Sequence, residues 1–150
     1  MLLASQITVA DFQAYFTRDF KYADNNQGVA SQYVTDADIN KAFTESLANW
    51  NDALFPDDNS RKVAFLQLAA HFLSSDLQAA SQGSSSTSLF PVVSRTAGPI
   101  SETYNVPLWL QHDPILSAYA TTRYGLKYVA LVKPLLVGGI RVSCGDTTPA

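Results

Sequence analysis

The sequence has few of the residues that most often carry chemistry: its 150 residues include one cysteine and two histidines. The single cysteine, Cys144, excludes an internal disulfide and fits a reducing compartment. It stands near the end of the chain with no base beside it in sequence, so it is a weak candidate for a nucleophile. One cysteine and two histidines do not form a metal-binding pattern by spacing. We therefore expect no metal and no cofactor.

Charged residues are also scarce, at 15% of the chain, and the net charge is only −3. This balance argues against a dedicated nucleic-acid-binding domain, which usually carries a basic stripe. Residues 1–60 hold nine acidic and three basic side chains, a net charge of −6, whereas residues 61–150 hold four acidic and seven basic ones, a net charge of +3. Two interpretations remain open. The molecule is electrically polar and stacks subunit against subunit, or these are ordinary solvated faces.

Long hydrophobic runs and phosphate-binding loops are absent from the sequence. The longest apolar tract, 128–142, is broken by Lys133, Pro134 and Gly138-Gly139 and is too short to span a bilayer. The pair Gly138-Gly139 lacks the lysine or third glycine of a phosphate-binding loop. Residues 1–12 lack the basic start of a secretory signal. We therefore expect a soluble protein that is made in the cytoplasm and has no membrane segment.

What the chain does have is enough apolar sequence, 47% of its residues, for one domain with a single core. The stretch 60–82 predicts its central helix. Apolar residues recur there at steps of three and four, and a second row widens the stripe: Val63, Leu66, Ala70, Leu73, Leu77 and Ala80, with Phe65, Ala69 and Phe72. A narrow polar seam remains, formed by Gln67, His71, Ser74 and Gln78. A helix this apolar needs neighbours on two sides, which predicts a small bundle.

Two helices are predicted ahead of the central one, separated by a loop over 19–33. A capping-box pattern from Thr8 to Asp11 predicts a first helix over 8–17. The same pattern from Thr35 to Asp38 opens a second helix that ends before Pro56. Its apolar residues are Ile39, Phe43, Leu47, Trp50 and Leu54. The short link to the central helix predicts antiparallel packing of the two.

The second half of the chain predicts shorter elements. Residues 82–88 are a Gly/Ser-rich exposed loop, and 92–104 predict a β-hairpin around Gly98-Pro99 with no core of its own. Asp113-Pro114 starts a short helix. Thr121 or Thr122 caps another, which carries Tyr124, Tyr128 and Leu131 and ends at Pro134; Gly125 marks either a break or a close-packing site. Residues 138–142 predict a C-terminal strand, and 139–150 an extended tail. The predicted fold class is mainly α.

The sequence contains no constellation that predicts catalysis. His71 and His112 are the candidates for an enzyme, but the first belongs to the polar seam and the second precedes Asp113, a helix cap. The carboxylate pairs Asp36/Asp38 and Asp57-Asp58 lie at helix starts, where the helix dipole favours acids. We predict no catalytic residue.

Several segments of the chain nevertheless carry recognisable sequence motifs. They are 94–104 (SRTAGPISETY), Trp109-Leu110, 122–131 (TRYGLKYVAL) and 139–142 (GIRV), preceded by a Phe-rich first helix over 9–16 and an Ala70-His71 pair in the central helix. Together they resemble a family of tailed-phage head–tail adaptors that was formerly catalogued as a domain of unknown function. The resemblance covers nearly the whole chain, and the Thr-x-Tyr-Gly-x-x-Tyr-x-x-Leu run at 122–131 is its most specific part.

The resemblance implies a structural virion protein rather than an enzyme. Members of that family form a 12-mer ring that docks beneath the portal protein, joins the head to a tail or neck protein (a tail terminator or stopper), and extends the DNA channel. Genomic DNA would pass through the lumen without specific binding. The protein would be made in the host bacterial cytoplasm and would reside at the head–tail interface of the virion.

The adaptor hypothesis predicts an interface in the hairpin and the tail, with these candidate residues: Arg95, Ile100, Tyr104, Trp109, Ile140, Arg141 and Val142. Deletion of 139–150 is expected to weaken docking more than folding, because the tail has little apolar surface. The alternative is a monomeric helical binding or regulatory module that contacts one protein through Trp109 and the hairpin. A third possibility is an enzyme that uses His71 or His112. A closed ring needs two complementary patches per subunit, whereas a monomeric binder needs one.

Overall fold

The computed structural model describes residues 3–23, 33–82, 94–97, 100–103 and 112–137. Within these segments the chain is mainly helical, as predicted. Its elements are α1 (Val9–Tyr15), α2 (Asp36–Ala48), α3 (Asp58–Gln82), β1 (Ser94–Ala97), β2 (Ile100–Thr103), α4 (Pro114–Tyr119) and α5 (Arg123–Val137), with single 3-10 turns at Ala4–Gln6 and Asp52–Leu54.

Helix α3 is the centre of the bundle, and α2 and α5 pack against different sides of it. On one side Ala64 and Leu68 share a core cluster with Tyr128 and Val132 of α5. On the other side the α3 side chains join α1 and α2 in a larger cluster: Phe65, Leu66, Ala69, Ala70 and Leu73 with Phe12, Ile39 and Phe43. Because it is covered on two sides, α3 is buried without interruption from 64 to 71. The central-helix prediction is confirmed.

More of the polar seam of α3 is buried than the sequence predicts. Gln67 and His71 are buried, Ser74 is half-buried, and only Gln78 is exposed. His71 is covered because α4 and α5 pack over this part of the seam. Conversely, Ala80, predicted on the apolar stripe, is exposed in the last turn of α3.

Both capping boxes form, so the starts of α1 and α2 are confirmed. The Thr8 hydroxyl accepts from the Asp11 amide (3.3 Å), and the Thr8 amide donates to the Asp11 carboxylate (3.0 Å). Thr35 and Asp38 make the same pair of bonds at 3.3 and 2.9 Å. Each box satisfies backbone amides that have no partner inside the helix. The first helix ends at Tyr15, two residues before the predicted bound.

The predicted end of the second helix is wrong. Helix α2 ends at Ala48, six residues before Leu54, because the Asn51 side chain accepts from the Ala53 amide (3.0 Å) and starts a separate 3-10 turn. Leu47, predicted to face the core, is exposed. Trp50 leaves the helix and stacks on Phe55, with ring centroids 4.9 Å apart and planes 8° from parallel.

Helices α2 and α3 are antiparallel, as their short link predicted. Lys41, in the first half of α2, pairs with Asp76 in the second half of α3 (Nζ to Oδ2 2.7 Å). Trp50, just beyond α2, contacts Phe65 in the first half of α3. The two helices therefore run in opposite directions.

The last two helices begin as predicted, and α5 ends later than predicted. Asp113 caps α4, its Oδ1 accepting from the amides of Ile115 (3.0 Å) and Leu116 (3.1 Å). Helix α5 does not stop at Pro134 but continues to Val137. Pro134 has no amide to donate to the carbonyl of Ala130, but its fixed φ is compatible with a helix, and the three residues after it remain helical. Of the three residues named for this helix, Tyr124 and Tyr128 are buried and Leu131 is exposed.

Strands β1 and β2 pair antiparallel, with Arg95 opposite Glu102 and Ala97 opposite Ile100. The remainder of the predicted hairpin over 92–104 lies outside the described residues. The same holds for 83–88 of the predicted loop, for the C-terminal strand and for the tail. In the predicted loop over 19–33, Tyr22 forms an isolated parallel bridge with Val34, and residues 24–32 lie outside the described segments.

Candidate functional site

The structure describes two of the seven predicted interface residues. Arg95 lies in β1 and Ile100 in β2. The other five, Tyr104, Trp109, Ile140, Arg141 and Val142, lie outside the described residues. The two histidines proposed for an enzyme are both described. His112 is exposed beside the Asp113 cap, and His71 is buried between α3 and the start of α5.

His71 takes part in a polar junction with Thr122. Its Nδ1 lies 2.7 Å from the Thr122 Oγ1, which also accepts from the Gly125 amide at 3.0 Å. The Thr122 hydroxyl therefore caps the first turn of α5 and is held at the same time against α3. Burial lowers the pKa of His71 to about 4, so its ring is neutral at neutral pH.

Aromatic rings and one glycine enclose the His71 ring. Phe72 and Tyr119 both lie with ring centroids 5.4 Å from it, edge to face. A Cβ on Gly125 would lie 2.7 Å from His71 Nδ1 and only 1.7 Å from the Tyr119 carbonyl oxygen. Of the two alternatives for this glycine, the close-packing site is therefore the confirmed one.

The junction combines a hydrogen bond with close packing. A histidine within hydrogen-bond distance of a hydroxyl is the geometry of a base and a nucleophile. Here, however, the hydroxyl of Thr122 is a helix cap, and Gly125 and Tyr119 pack against the neutral imidazole. The junction fixes the ends of α4 and α5 against α3.

A second polar cluster attaches the segment after α1 to α5. The guanidinium of Arg123 pairs with the Asp19 carboxylate and lies 2.6 Å from the Tyr124 hydroxyl, which donates to Asp19 at 3.1 Å. The Tyr124 ring contacts Phe16 and Phe20, each with ring centroids 5.5 Å away. Burial is the main cause that raises the pKa of Tyr124. This cluster therefore also stabilises the packing of separate segments of the chain.

The surface that the sequence analysis missed lies on the outer side of α5. Exposed residues at helical spacing form what we call the α5 face: Leu126, Lys127, Ala130, Leu131 and Pro134. Three of the large exposed apolar side chains of the described residues, Leu126, Leu131 and Leu136, are on this one helix. The sequence does carry a signal for it, because apolar residues occur on every side of 123–137, which is typical of a helix covered on more than one side.

Two kinds of site are not found in the described segments. No three histidine, cysteine, aspartate or glutamate side chains in them are grouped so as to hold a metal ion. Across the same residues, no helix combines the length and the hydropathy needed to cross a membrane.

Comparison with known proteins gives no match: no family model, no curated protein and no solved structure is significantly similar to this chain. The adaptor family is therefore indicated only by the motifs quoted above.

Proposed function

We propose that this chain is a structural protein of a tailed-phage virion, an adaptor that docks beneath the portal and joins the head to the tail or neck. The observation that supports the proposal is the Thr122–Leu131 motif, together with the contacts that its residues make in the structure. Thr122 caps α5, Gly125 permits contact with Tyr119 and His71, and Tyr124 and Tyr128 enter the two core clusters. In this chain the motif thus positions α5 against α3 and α4.

The same packing supports a non-enzymatic role. His71 is neutral and bonded to a helix cap, and His112 is exposed next to Asp113, whose carboxylate caps α4. The carboxylates that the sequence analysis considered as pairs lie at helix starts, where they accept hydrogen bonds. Asp38 closes a capping box, and Asp57 accepts from the Ser60 amide at 2.9 Å. In this proposal the function resides in surfaces.

The hairpin and tail are the proposed contacts to neighbouring subunits and to the portal. Strands β1 and β2 are four residues each, and two such strands alone are marginally stable in water. Pairing of the hairpin over 92–104 with another chain would stabilise it and would use Arg95, Ile100 and Tyr104. Trp109 and the tail residues Ile140, Arg141 and Val142 complete the proposed interface.

The proposed assembly is a ring of twelve subunits through which DNA passes without specific binding. The net charge of −3 supports weak interaction with DNA, because strong binders neutralise phosphates with many basic residues. A tail terminator or stopper protein would dock on the far side of the ring.

The test is the mass of the purified protein, measured by native mass spectrometry alone and after mixing with the portal protein of the same phage. We expect a closed ring, either alone or on the portal, and no assembly on the portal of an unrelated phage, which is the control. A chain that stays monomeric in both samples would contradict the adaptor function. That outcome would favour the monomeric binding module.

A further inference from the structure

Helix α4 is only shallowly embedded in the bundle. Of its six residues, all of which the structure describes, only Ser117 is buried, and Ile115 is 70% exposed. The Ser117 hydroxyl donates to the carbonyl of Pro114 (3.1 Å), which belongs to the same helix. Between described residues, each hydrogen bond made by 113–121 stays within that segment. In this part of the chain, packing therefore holds α4 to its neighbours.

Tyr119, the last residue of α4, makes the ring contacts of this helix. Its ring lies against three side chains of α3 and α5, with centroids 5.4, 6.4 and 5.5 Å away: His71, Phe72 and Tyr128. Its carbonyl oxygen lies 1.7 Å from the position of a Cβ on Gly125, so the backbone of α4 also meets α5 here. A single residue thus joins α4 to both α3 and α5.

The other helices are held together without α4. Tyr124 of α5 belongs to the core cluster that it shares with α1, α2 and α3. Tyr128 and Val132 of α5 are buried against α3 in the second cluster. In the described segments, the buried members of these two clusters include no residue of α4. The bundle of α1, α2, α3 and α5 therefore keeps its core contacts when α4 moves.

We infer that α4 is a flap that opens as one unit about Ala120 and Thr121, with the Tyr119 ring as its latch, while α1, α2, α3 and α5 stay folded. Ala120 and Thr121 lie between the latch and Thr122, the cap of α5. Parts of a protein with few buried apolar contacts open at a lower free energy than its core. The inference goes beyond the proposed function and does not rest on it. Strand β2 precedes α4 in the chain, so an open flap would let the hairpin change its position relative to α5.

The test measures how fast a thiol in α4 becomes accessible in the folded full-length chain. Cys144→Ser removes the natural thiol, and Ser117→Cys places one at the buried position of α4. Ala69→Cys is the matched reference, because Ala69 is fully buried in α3, and Ala64→Cys is a second reference of the same kind. Circular dichroism checks that each variant folds. Labelling with the disulfide reagent DTNB is followed over a series of urea concentrations below the unfolding transition.

We expect the Ser117→Cys thiol to be labelled faster than either reference thiol, by roughly tenfold or more, because opening of α4 requires less free energy than unfolding of the bundle. Its labelling rate should also rise less steeply with urea, since opening of one short helix exposes less surface than global unfolding. Equal rates and equal urea dependence for the Ser117→Cys and reference thiols would overturn the inference, because α4 would then open only when the whole bundle unfolds.

A second comparison tests the latch. Tyr119→Ala, added to the Ser117→Cys and Ala69→Cys proteins, should speed the labelling of both thiols by the same factor, because the ring contacts are lost in the open state and in the unfolded state alike. Ile115→Ala changes an exposed residue of the same helix and should alter the labelling of Ser117→Cys by no more than about twofold. If Tyr119→Ala left the labelling of Ser117→Cys unchanged, the thiol would be reached without release of the ring, which would overturn the latch. These rates are measured without the portal, so they test the flap separately from the adaptor function.

Discussion

The carbonyl oxygen of Tyr119 lies where a side chain on Gly125 would begin, 1.7 Å from the position of a Cβ. Tyr119 is the last residue of α4, and Gly125 is in the first turn of α5. On the same side, His71 Nδ1 would lie 2.7 Å from that Cβ. The absence of a side chain at one position therefore allows three helices to meet.

Gly125→Ala is expected to destabilise the fold by about 3 kcal/mol, at the upper end of the usual cost of overpacking, because the nearest obstacle is backbone. Alanine has the higher helix propensity, by about 1 kcal/mol, so propensity alone predicts the opposite sign. Urea unfolding followed by circular dichroism measures the difference. Lys127→Ala, an exposed change in the next turn, is the control and should alter stability by no more than about 0.5 kcal/mol. A stabilised Gly125→Ala protein would show that the α4–α5 corner yields to the added methyl group.

Elements that are determined by neighbouring residues were predictable from the sequence. The caps at Thr8, Thr35 and Asp113 involve donors two or three residues away, so the pattern alone identifies them. The central helix was also predictable, because its apolar residues recur at helical spacing, although the seam residues Gln67 and His71 are buried as well. The end of α2 was not. It depends on the Asn51 side chain, which starts the 3-10 turn, and on Trp50 stacking on Phe55 across the link, and apolar periodicity within the helix indicates neither.

The candidate site was less predictable, because it depends on contacts between distant segments. His71 and Thr122 are 51 residues apart, and the sequence does not indicate that they meet. Periodicity shows which residues share a face but not whether another element covers it. Leu47 was therefore predicted on the apolar side of its helix and is exposed.

The burial of His71 predicts a pH dependence of stability. Its pKa is lowered from 6.5 to about 4 in the folded chain, so the unfolded chain binds more protons between these two values. Stability therefore falls as pH falls from above 6.5 towards 4, by about 2 kcal/mol between about pH 7.5 and about pH 5. Urea unfolding at the two pH values measures it.

His71→Gln should remove this pH dependence above about pH 5, whatever its effect on stability at neutral pH. His112→Gln changes the exposed histidine instead and should keep the wild-type dependence. If the free energy of unfolding of the His71→Gln protein fell with decreasing pH as in the wild type, another group would be the cause of the loss of stability.

Two buried leucines of α3 test its place in the core. Leu66 and Leu73 are buried in the cluster shared with α1 and α2. Truncation of either to alanine is expected to lower the free energy of unfolding by about 2–5 kcal/mol, since a cavity remains where the side chain was. Leu47→Ala, at an exposed site on α2, is the control and should cost about 0.5 kcal/mol or less. Equal effects at buried and exposed positions would contradict the central role of α3.

Arg61 is the buried charge that organises the link between α2 and α3, and the sequence analysis did not single it out. Its side chain is 4% exposed. Its Nε donates to the Asp52 carbonyl (3.2 Å), its Nη2 to the Phe55 carbonyl (2.7 Å), and its Nη1 to the Asp58 carboxylate (2.7 Å). One guanidinium thus satisfies two carbonyls of the link and an acid in the first turn of α3.

Arg61→Met is expected to destabilise the fold by about 2–4 kcal/mol, because two carbonyls in the link lose their donor. Arg61→Lys keeps the charge but not the planar fork, so it should recover less than half of that loss. Lys62→Met is the matched control. It removes only the half-exposed pair with Asp11 (2.6 Å) and should cost about 1 kcal/mol or less. Chemical denaturation ranks the three variants. If Arg61→Met were as stable as Lys62→Met, the link would be held by the Trp50–Phe55 stack without the guanidinium.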